Sequence, residues 1–324
     1  MPKAIIVREY GGSKVLALEE VYVGNPEGRQ LRVRQTAIGV HYHDIYVRTG
    51  LYKTLNLPGI PGVEATGEVE AIGPDVTEFT IGDRIVYLTS SYGAYATHRL
   101  LDQNFALKLP RFFSGELIAT NFSRALTVHM LIKHVTNINS GHTILVTAAT
   151  GGVGRLLSQW ANSLGVCVIG SVSTSEKTAL AKSYGCKYCL IYDQKDFMSQ
   201  VKDITDGGGV DAVYDSVGAD TFDISLDALT KCGHMVNFGQ SSGPVPPVLM
   251  SRLAEKSITV TRPIIFHYIE NPDVYRKMAS SVFSYLQNGK LILPNFEPLN
   301  LENASKAHDI LESRRGGGSI YLVP

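Results

Sequence analysis

The 324-residue chain has only four cysteines, Cys167, Cys186, Cys189 and Cys232. That is too few for a disulfide scaffold at this length. It has no apolar run approaching the ~20 residues that span a bilayer, so a membrane-spanning helix is not expected. It has no charge of one sign in excess, since Lys+Arg and Asp+Glu both number 30. A neutral balance offers no general attraction to nucleic acid or an anionic membrane. A basic, aromatic-rich stretch of the kind that binds RNA is also missing. Met1-Pro2-Lys3-Ala4-Ile5 enters a strand-like segment directly, without a signal-peptide pattern, and a cytoplasmic protein is expected. Cys186 and Cys189 form a Cys-x-x-Cys pair that could suggest redox chemistry or half a zinc site. A second pair is missing, and Cys189 opens the apolar stretch Cys189-Leu190-Ile191-Tyr192, so buried structural thiols are expected.

What is present is a globular chain. Hydrophobic residues make up 44% and charged residues 19%, proportions that support a sizeable core, and the length favours two domains. The first 120 or so residues read as short strands, over Ala4 to Arg8, Leu31 to Ile38, Ala65 to Ile72 and Arg84 to Leu88. They are punctuated at Gly11-Gly12, Gly50, Gly59, Gly62, Gly73-Pro74 and Gly82-Asp83, a pattern of a mainly antiparallel, barrel-like domain. From Asn121 the pattern changes. A helix is predicted over Ala125 to Val135, and then strands (Thr143 to Ala148, Val166 to Val172, Tyr188 to Tyr192, Ala212 to Asp215, His234 to Phe238) alternate with helices. That alternation predicts a parallel, doubly wound sheet. A helix over Val274 to Asn288, another near Ala304 to Arg314 and a last strand, Ser319 to Val323, follow, with the tail returning to the first domain. The predicted division is 1–123 with 268–324, and 124–267.

The most informative stretch is Thr143-Ile144-Leu145-Val146-Thr147-Ala148-Ala149-Thr150-Gly151-Gly152-Val153-Gly154. A β-branched strand ends in a glycine turn and a helix follows at once. Such a turn lets the backbone approach a pyrophosphate and offers free N–H groups where the helix dipole favours an anion. Glycine turns have many structural causes, but here the strand, turn and helix that the motif requires are all in place. The next strand bears on which dinucleotide binds. NAD sites place a carboxylate near its tip, whereas this chain reads Ile169-Gly170-Ser171-Val172-Ser173-Thr174-Ser175-Glu176-Lys177. Ser173 and Lys177, joined by Tyr192 and the basic pair Arg314 and Arg315 if the tail folds nearby, suit a 2′-phosphate. NADPH is therefore the expected cofactor, against the alternative of a solvated lysine and ordinary surface arginines.

Ala148 to Gly154, then Tyr214-Asp215-Ser216-Val217-Gly218, Phe238-Gly239-Gln240-Ser241-Ser242-Gly243 and Val260-Thr261-Arg262-Pro263 resemble the quinone oxidoreductases of the medium-chain dehydrogenase/reductase superfamily. Similarity covers essentially the whole chain, including Gly50-Leu51-Tyr52 and Gly82-Asp83-Arg84-Ile85-Val86-Tyr87, and is strongest to bacterial NADPH:quinone reductases. The resemblance implies an α/β protein, a GroES-like mainly β catalytic domain plus a Rossmann cofactor domain, with the active site in the cleft between them. It implies that Ala149, Gly152, Val153 and Gly154 line the pyrophosphate, and that Ser173, Lys177, Tyr192 and Arg314 hold the 2′-phosphate. Ser216, Val217, Phe238, Gln240 and Ser241 would flank the nicotinamide, and Thr127 would reach the cofactor. Tyr46 and Tyr52 would border the substrate, a small quinone, with Asp44 nearby. His41 and Met130 depart from the Asn and Tyr common in the family, so the shape or pH response of the pocket would differ.

Zinc-dependent members of the superfamily carry Cys and His ligands in segments that correspond to His41-Tyr42-His43-Asp44 and Gly62-Val63-Glu64. Here Val63 stands where a ligating His would be needed, no Cys precedes Cys167, and no metal is expected. His41, His43 and Glu64 could be imagined as a mixed site, and a His-x-His pair on a strand would share one face, but a third ligand at plausible geometry is not evident. Polar cleft residues are the expected role. A quinone is electron-poor and needs no Lewis acid. It does need a proton, which Tyr52, Tyr46 or water could supply, although tyrosine also packs and stacks. Asp215 is expected to cap the turn after its strand. Arg262 reaches either the cofactor or an oligomer interface. The β-branched residues around it (Ile258, Val260, Ile264, Ile265) suggest an edge strand that pairs with its copy in a homodimer. Two other readings compete: a reductase of 2-alkenals or enones, and a non-catalytic NADPH-binding sensor.

Overall fold

The computed structural model describes residues 1–289, 291–293, 296–313 and 319–324. Among them fifteen strands form three sheets. In chain order these are β1 (Lys3–Ile6), β2 (Ala17–Glu20), β3 (Gln30–Gly39), β4 (Glu64–Ile72), β5 (Arg84–Leu88), β6 (His98–Asp102), β7 (Ala106–Lys108), β8 (Thr143–Val146), β9 (Cys167–Val172), β10 (Tyr188–Ile191), β11 (Val210–Asp215), β12 (Leu229–Asn237), β13 (Thr259–Thr261), β14 (Phe296–Asn300) and β15 (Ser319–Val323). The chain divides into two compact units, Met1–Ser123 with Leu293–Pro324, and Arg124–Ile292.

In the first unit β1 pairs with β2. A larger sheet runs β14-β15-β3-β4-β5-β7, with β6 also on β3, and every pairing in it is antiparallel except β14 with β15. Its central strand β3 shows why. Leu31, Val33, Gln35 and Ala37 are buried while Arg34 and Thr36 are exposed, the two-residue period of a sheet with one face in the core. Leu31, Val33, Ile38, Val69, Ile85, Tyr87, Leu101 and Leu322 meet in that core. His41 and His43 do not lie on a strand, because β3 stops at Gly39 and Tyr42–Arg48 is helical. His41 is the residue before its first turn, and Asp44 Oδ2 accepts the His41 backbone N–H at 2.8 Å, satisfying a donor at the helix start.

The second unit holds one parallel sheet in the order β10-β9-β8-β11-β12-β13. Strands β8, β9 and β10 are short, mostly apolar runs, as in sheets covered by helices. Counted from β8, the order is that of the doubly wound dinucleotide fold, and it reverses between β8 and β11, where ligands of such sheets bind beyond the strand ends. Helix Gly152–Ser163 buries Leu156, Leu157, Trp160 and Ala161, residues spaced to fall on one face. The helix expected over 125–135 is α-helical at Phe122–Met130 and continues as a π-helix, Leu131–Thr136. The return to the first unit, expected at residue 268, falls at Leu293. Helix Pro272–Gln287 packs within the second unit, where Tyr285 stacks on Trp160 with ring centroids 3.9 Å apart. Among the described residues no helix is long and apolar enough to cross a membrane.

Candidate functional site

β8 ends at Val146 and helix Gly152–Ser163 begins six residues later. Between them Ala148 takes a left-handed conformation (φ 47°), which costs a non-glycine residue about 1 kcal/mol or more. The turn is closed by Gly151 N–H to Ala148 O at 2.8 Å and fixed to the sheet by Ala149 N–H to Ser171 O at 3.0 Å. A Cβ at Gly154 would lie 2.3 Å from Ala148 O, and one at Gly152 would lie 2.8 Å from Arg124 Nε. Gly154 therefore requires glycine, because backbone cannot give way, whereas at Gly152 the Arg124 side chain would have to shift. No side chain caps the helix, so its first-turn N–H groups keep the partial positive charge that attracts an anion.

Arg124 and Arg155 add a feature the sequence reading missed. Both are buried. Burial, reinforced by the like charge of Arg124, lowers the Arg155 pKa to about 9. The Arg124 side chain lies against Gly152, which adds positive charge beside the helix start, where an anion is favoured. In the sequence a lone helical Arg124 reads as a solvated residue. Only the fold places it against Gly152.

The turns after β11 and β12 are stitched together by Asp215, which is fully buried. Its Oδ1 accepts Thr147 Oγ1 at 2.9 Å, Thr221 Oγ1 at 2.7 Å and Val217 N–H at 2.9 Å, and its Oδ2 accepts Asn237 Nδ2 at 3.0 Å. Asp215 thus caps the turn, as its strand-end position suggests, and a carboxylate with this many donors needs no partner cation. Ser241 N–H donates to Ser216 O and Ser242 N–H to Val217 O, so Ser216, Val217, Phe238, Gln240 and Ser241 lie in adjoining loops. Arg262 follows β13 and donates from Nη1 to Asn237 Oδ1 and, at 3.2 Å and 3.3 Å, to Asn237 O and Gly239 O. It braces the second of these loops. Ser173 is exposed just beyond β9, Lys177 Nζ donates to its Oγ at 3.4 Å, and Tyr192 N–H donates to Val172 O beside it. Thr127 lies on helix Phe122–Met130. Arg314 and Arg315 fall outside the described residues.

In the first unit His41 precedes helix Tyr42–Arg48, Asp44 and Tyr46 lie on it, and Tyr52 follows it. His41 Nε2 lies 2.5 Å from Oε2 of the fully buried Glu64, which also accepts Ser123 Oγ at 2.7 Å, while Glu64 Oε1 accepts Ser123 N–H at 2.7 Å. Gly39 leaves room for this contact, since a Cβ there would lie 2.7 Å from His41 Nε2 and 2.9 Å from Glu64 Oε2. Asp44 is fully buried, and burial raises its pKa to about 6 against the opposing charge of His41. Its Oδ2 accepts Tyr95 O–H at 3.1 Å. The Tyr95 hydroxyl lies 3.0 Å from His308 Nε2, and Arg48 Nη1 donates to His308 Nδ1 at 3.2 Å. Tyr46 and Tyr52 meet edge to face at 5.1 Å. Among the described residues no group of three or more His, Cys, Asp or Glu side chains could hold a metal ion.

A GroES-like unit followed by a doubly wound unit is the architecture of the medium-chain dehydrogenase/reductases. Residues 27–111 match the alcohol dehydrogenase GroES-like domain, and residues 152–283 match the zinc-binding dehydrogenase family. The chain is 38% identical to a quinone oxidoreductase of Pseudomonas aeruginosa over all of both chains. It is 35% identical to a 2-haloacrylate reductase of a Burkholderia species, over 100% of this chain and 99% of that one. Among solved structures, the quinone oxidoreductase of Escherichia coli complexed with NADPH superposes with a TM-score of 0.95 at 37% identity, covering 99% of this chain and 100% of that one. The chain belongs to the quinone oxidoreductase family of the medium-chain dehydrogenases/reductases.

Proposed function

We propose that this chain reduces small quinones with NADPH and without a catalytic metal. The observation that carries the reading is the uncapped glycine turn before helix Gly152–Ser163, with the Arg124 side chain against it. In this reading Ala149, Gly152, Val153 and Gly154 line the pyrophosphate, and Thr127 also reaches the cofactor. Ser173, Lys177, Tyr192 and Arg314 bind the 2′-phosphate. Ser216, Val217, Phe238, Gln240 and Ser241 flank the nicotinamide, and Arg262 holds their loop in place. When bound, NADPH supplies the hydride. Tyr46, Tyr52 and His41 border the acceptor, and Asp44 orders the helix that presents them.

Metal independence rests on the donor set of the first unit. Val63 offers no ligand, no thiol precedes Cys167, and His41 Nε2 is committed to Glu64. A quinone accepts electrons without a Lewis acid, so such a site suffices for it. The likeness to a 2-haloacrylate reductase favours, as a second reading, an activated alkene as acceptor. Initial rates of NADPH oxidation with 1,4-benzoquinone beside 2-alkenals separate the two. Faster turnover of the quinone is expected, and faster turnover of the alkenals would transfer the assignment to them. Tight NADPH binding with no acceptor reduced would favour a sensor.

The reading includes a homodimer in the cytoplasm. β13 is the edge of its sheet, and Val260 on it and Ile264 just after it are exposed, as are Leu249 and Met250, apolar surface that a second copy would cover. All four cysteines are free, in keeping with a reducing compartment. Sedimentation at micromolar concentration is expected to give the mass of two chains, and a single-chain mass would contradict the dimer.

A further inference from the structure

We propose that Thr54, Tyr92 and His43 form a proton relay for reduction of the acceptor, an assignment that rests on the reductase reading above. The Tyr92 hydroxyl lies 2.6 Å from Thr54 Oγ1 and 3.1 Å from His43 Nε2. Thr54 is exposed, whereas Tyr92 and His43 are half-buried, so the three groups lead inward from solvent. Tyr92 also lines an open cavity of about 460 Å³ shared with Ile6, Leu55 and Ile60, roomy enough to hold water beside it. At the inner end His43 stacks on Tyr92 with centroids 6.0 Å apart and 10° between planes, and packs at 5.8 Å against Tyr52, one of the residues assigned to the acceptor.

The ionisation states suit the task. Burial, with the charge of His41 adding to it, lowers the His43 pKa to about 4, and burial raises that of Tyr92. Both groups are therefore neutral around pH 7. A neutral imidazole that accepts a hydrogen bond at Nε2 carries its hydrogen on Nδ1.

Quinone reduction consumes one hydride, which leaves NADPH as NADP⁺, and one proton. In the relay the N–H bond at His43 Nδ1 breaks as its proton passes to the acceptor oxygen. Nε2 takes the Tyr92 hydroxyl hydrogen, Tyr92 takes that of Thr54, and water restores Thr54. The net change is one proton drawn from solvent, with no relay group oxidised or reduced. The imidazole regains its first tautomer by exchange once product leaves.

Tyr92→Phe removes the hydroxyl and keeps the ring. The full-length protein is compared with 1,4-benzoquinone, whose hydroquinone is a weak acid that needs protonation, and with tetrachloro-1,4-benzoquinone, whose hydroquinone is far more acidic and leaves as an anion. Y92F is expected to lower kcat about tenfold with the first acceptor and less than about twofold with the second. KM for NADPH should stay within about twofold, because no relay group is assigned to the cofactor. Thr54→Val should give the same contrast from the outer end, and it serves if Y92F loses NADPH binding through misfolding. Equal losses with both acceptors, or no loss with either, would overturn the relay alone. Wild-type protein that reduces neither quinone would overturn the reductase reading and the relay with it.

Discussion

In the proposed phosphate pocket, Lys177 is the side chain expected to separate the phosphorylated from the plain cofactor most sharply. It stands 3.4 Å from Ser173, just past the tip of β9, where NAD sites carry a carboxylate. Lys177→Ala should weaken NADPH binding about tenfold, ~1.4 kcal/mol, and leave NADH binding within about twofold. Fluorescence titration with the two cofactors checks this, and equal weakening of both would remove Lys177 from the phosphate pocket. His308 belongs to stability instead. Fully buried, it is held neutral with a pKa of about 3, by burial first and by Arg48 second. The unfolded chain protonates this histidine near its ordinary value of about 6.5. The lowered folded value therefore means stability that is full above about pH 6.5 and declines as pH falls toward 3. His43, lowered by burial to about 4, adds a loss of the same sign. Asp44, raised by burial to about 6, has the opposite sign. Its contribution is greatest below about 4 and lost as pH rises through 6, so it offsets part of the loss. Between pH 7 and pH 5 each neutral histidine contributes a loss of ~2 kcal/mol and Asp44 returns ~1 kcal/mol. Urea midpoints should fall from pH 7 to pH 5, and the fall should be shallower in His308→Gln. An unchanged slope in that variant would contradict the assignment.

At the scale of elements, the glycine turn was legible because strand, turn and helix follow one another within a dozen residues and each has its own local signal. The structure adds the reason for Gly154, a Cβ there meeting Ala148 O at 2.3 Å. Backbone cannot yield as a flexible side chain can. Gly154→Ala is expected to weaken NADPH binding by tenfold or more, roughly 1.4 kcal/mol or above, and to lower Tm by several degrees. Unchanged NADPH binding in a folded G154A protein would show that the turn does not carry the cofactor. The helix at Tyr42–Arg48 was not legible. His41-Tyr42-His43-Asp44 is too short for periodicity to separate helix from strand. The contact between Asp44 and the His41 backbone N–H that starts the helix has no stronger signature than any Asp three residues on. The Glu64–Ser123 and Arg124–Gly152 approaches were hidden for another reason. They join segments far apart in sequence, and no local pattern encodes them.

For the whole molecule, the division after Ser123 was visible because the two halves obey different rules, short glycine-broken strands against alternating strand and helix. The place where the chain returns was not. Amphipathic spacing marks Pro272–Gln287 as a helix but says nothing of which core receives its apolar face, and the Trp160–Tyr285 stack decides that. The central claim joins the phosphate pocket, the metal-free donor set and the acceptor. Its most direct test follows nicotinamide absorbance while protein dialysed against a chelator oxidises NADPH with 1,4-benzoquinone, with NADH run in parallel. The account predicts rapid turnover with NADPH, little with NADH, and no gain when zinc is restored. Turnover that appears only on adding zinc, or none with either cofactor, would contradict it.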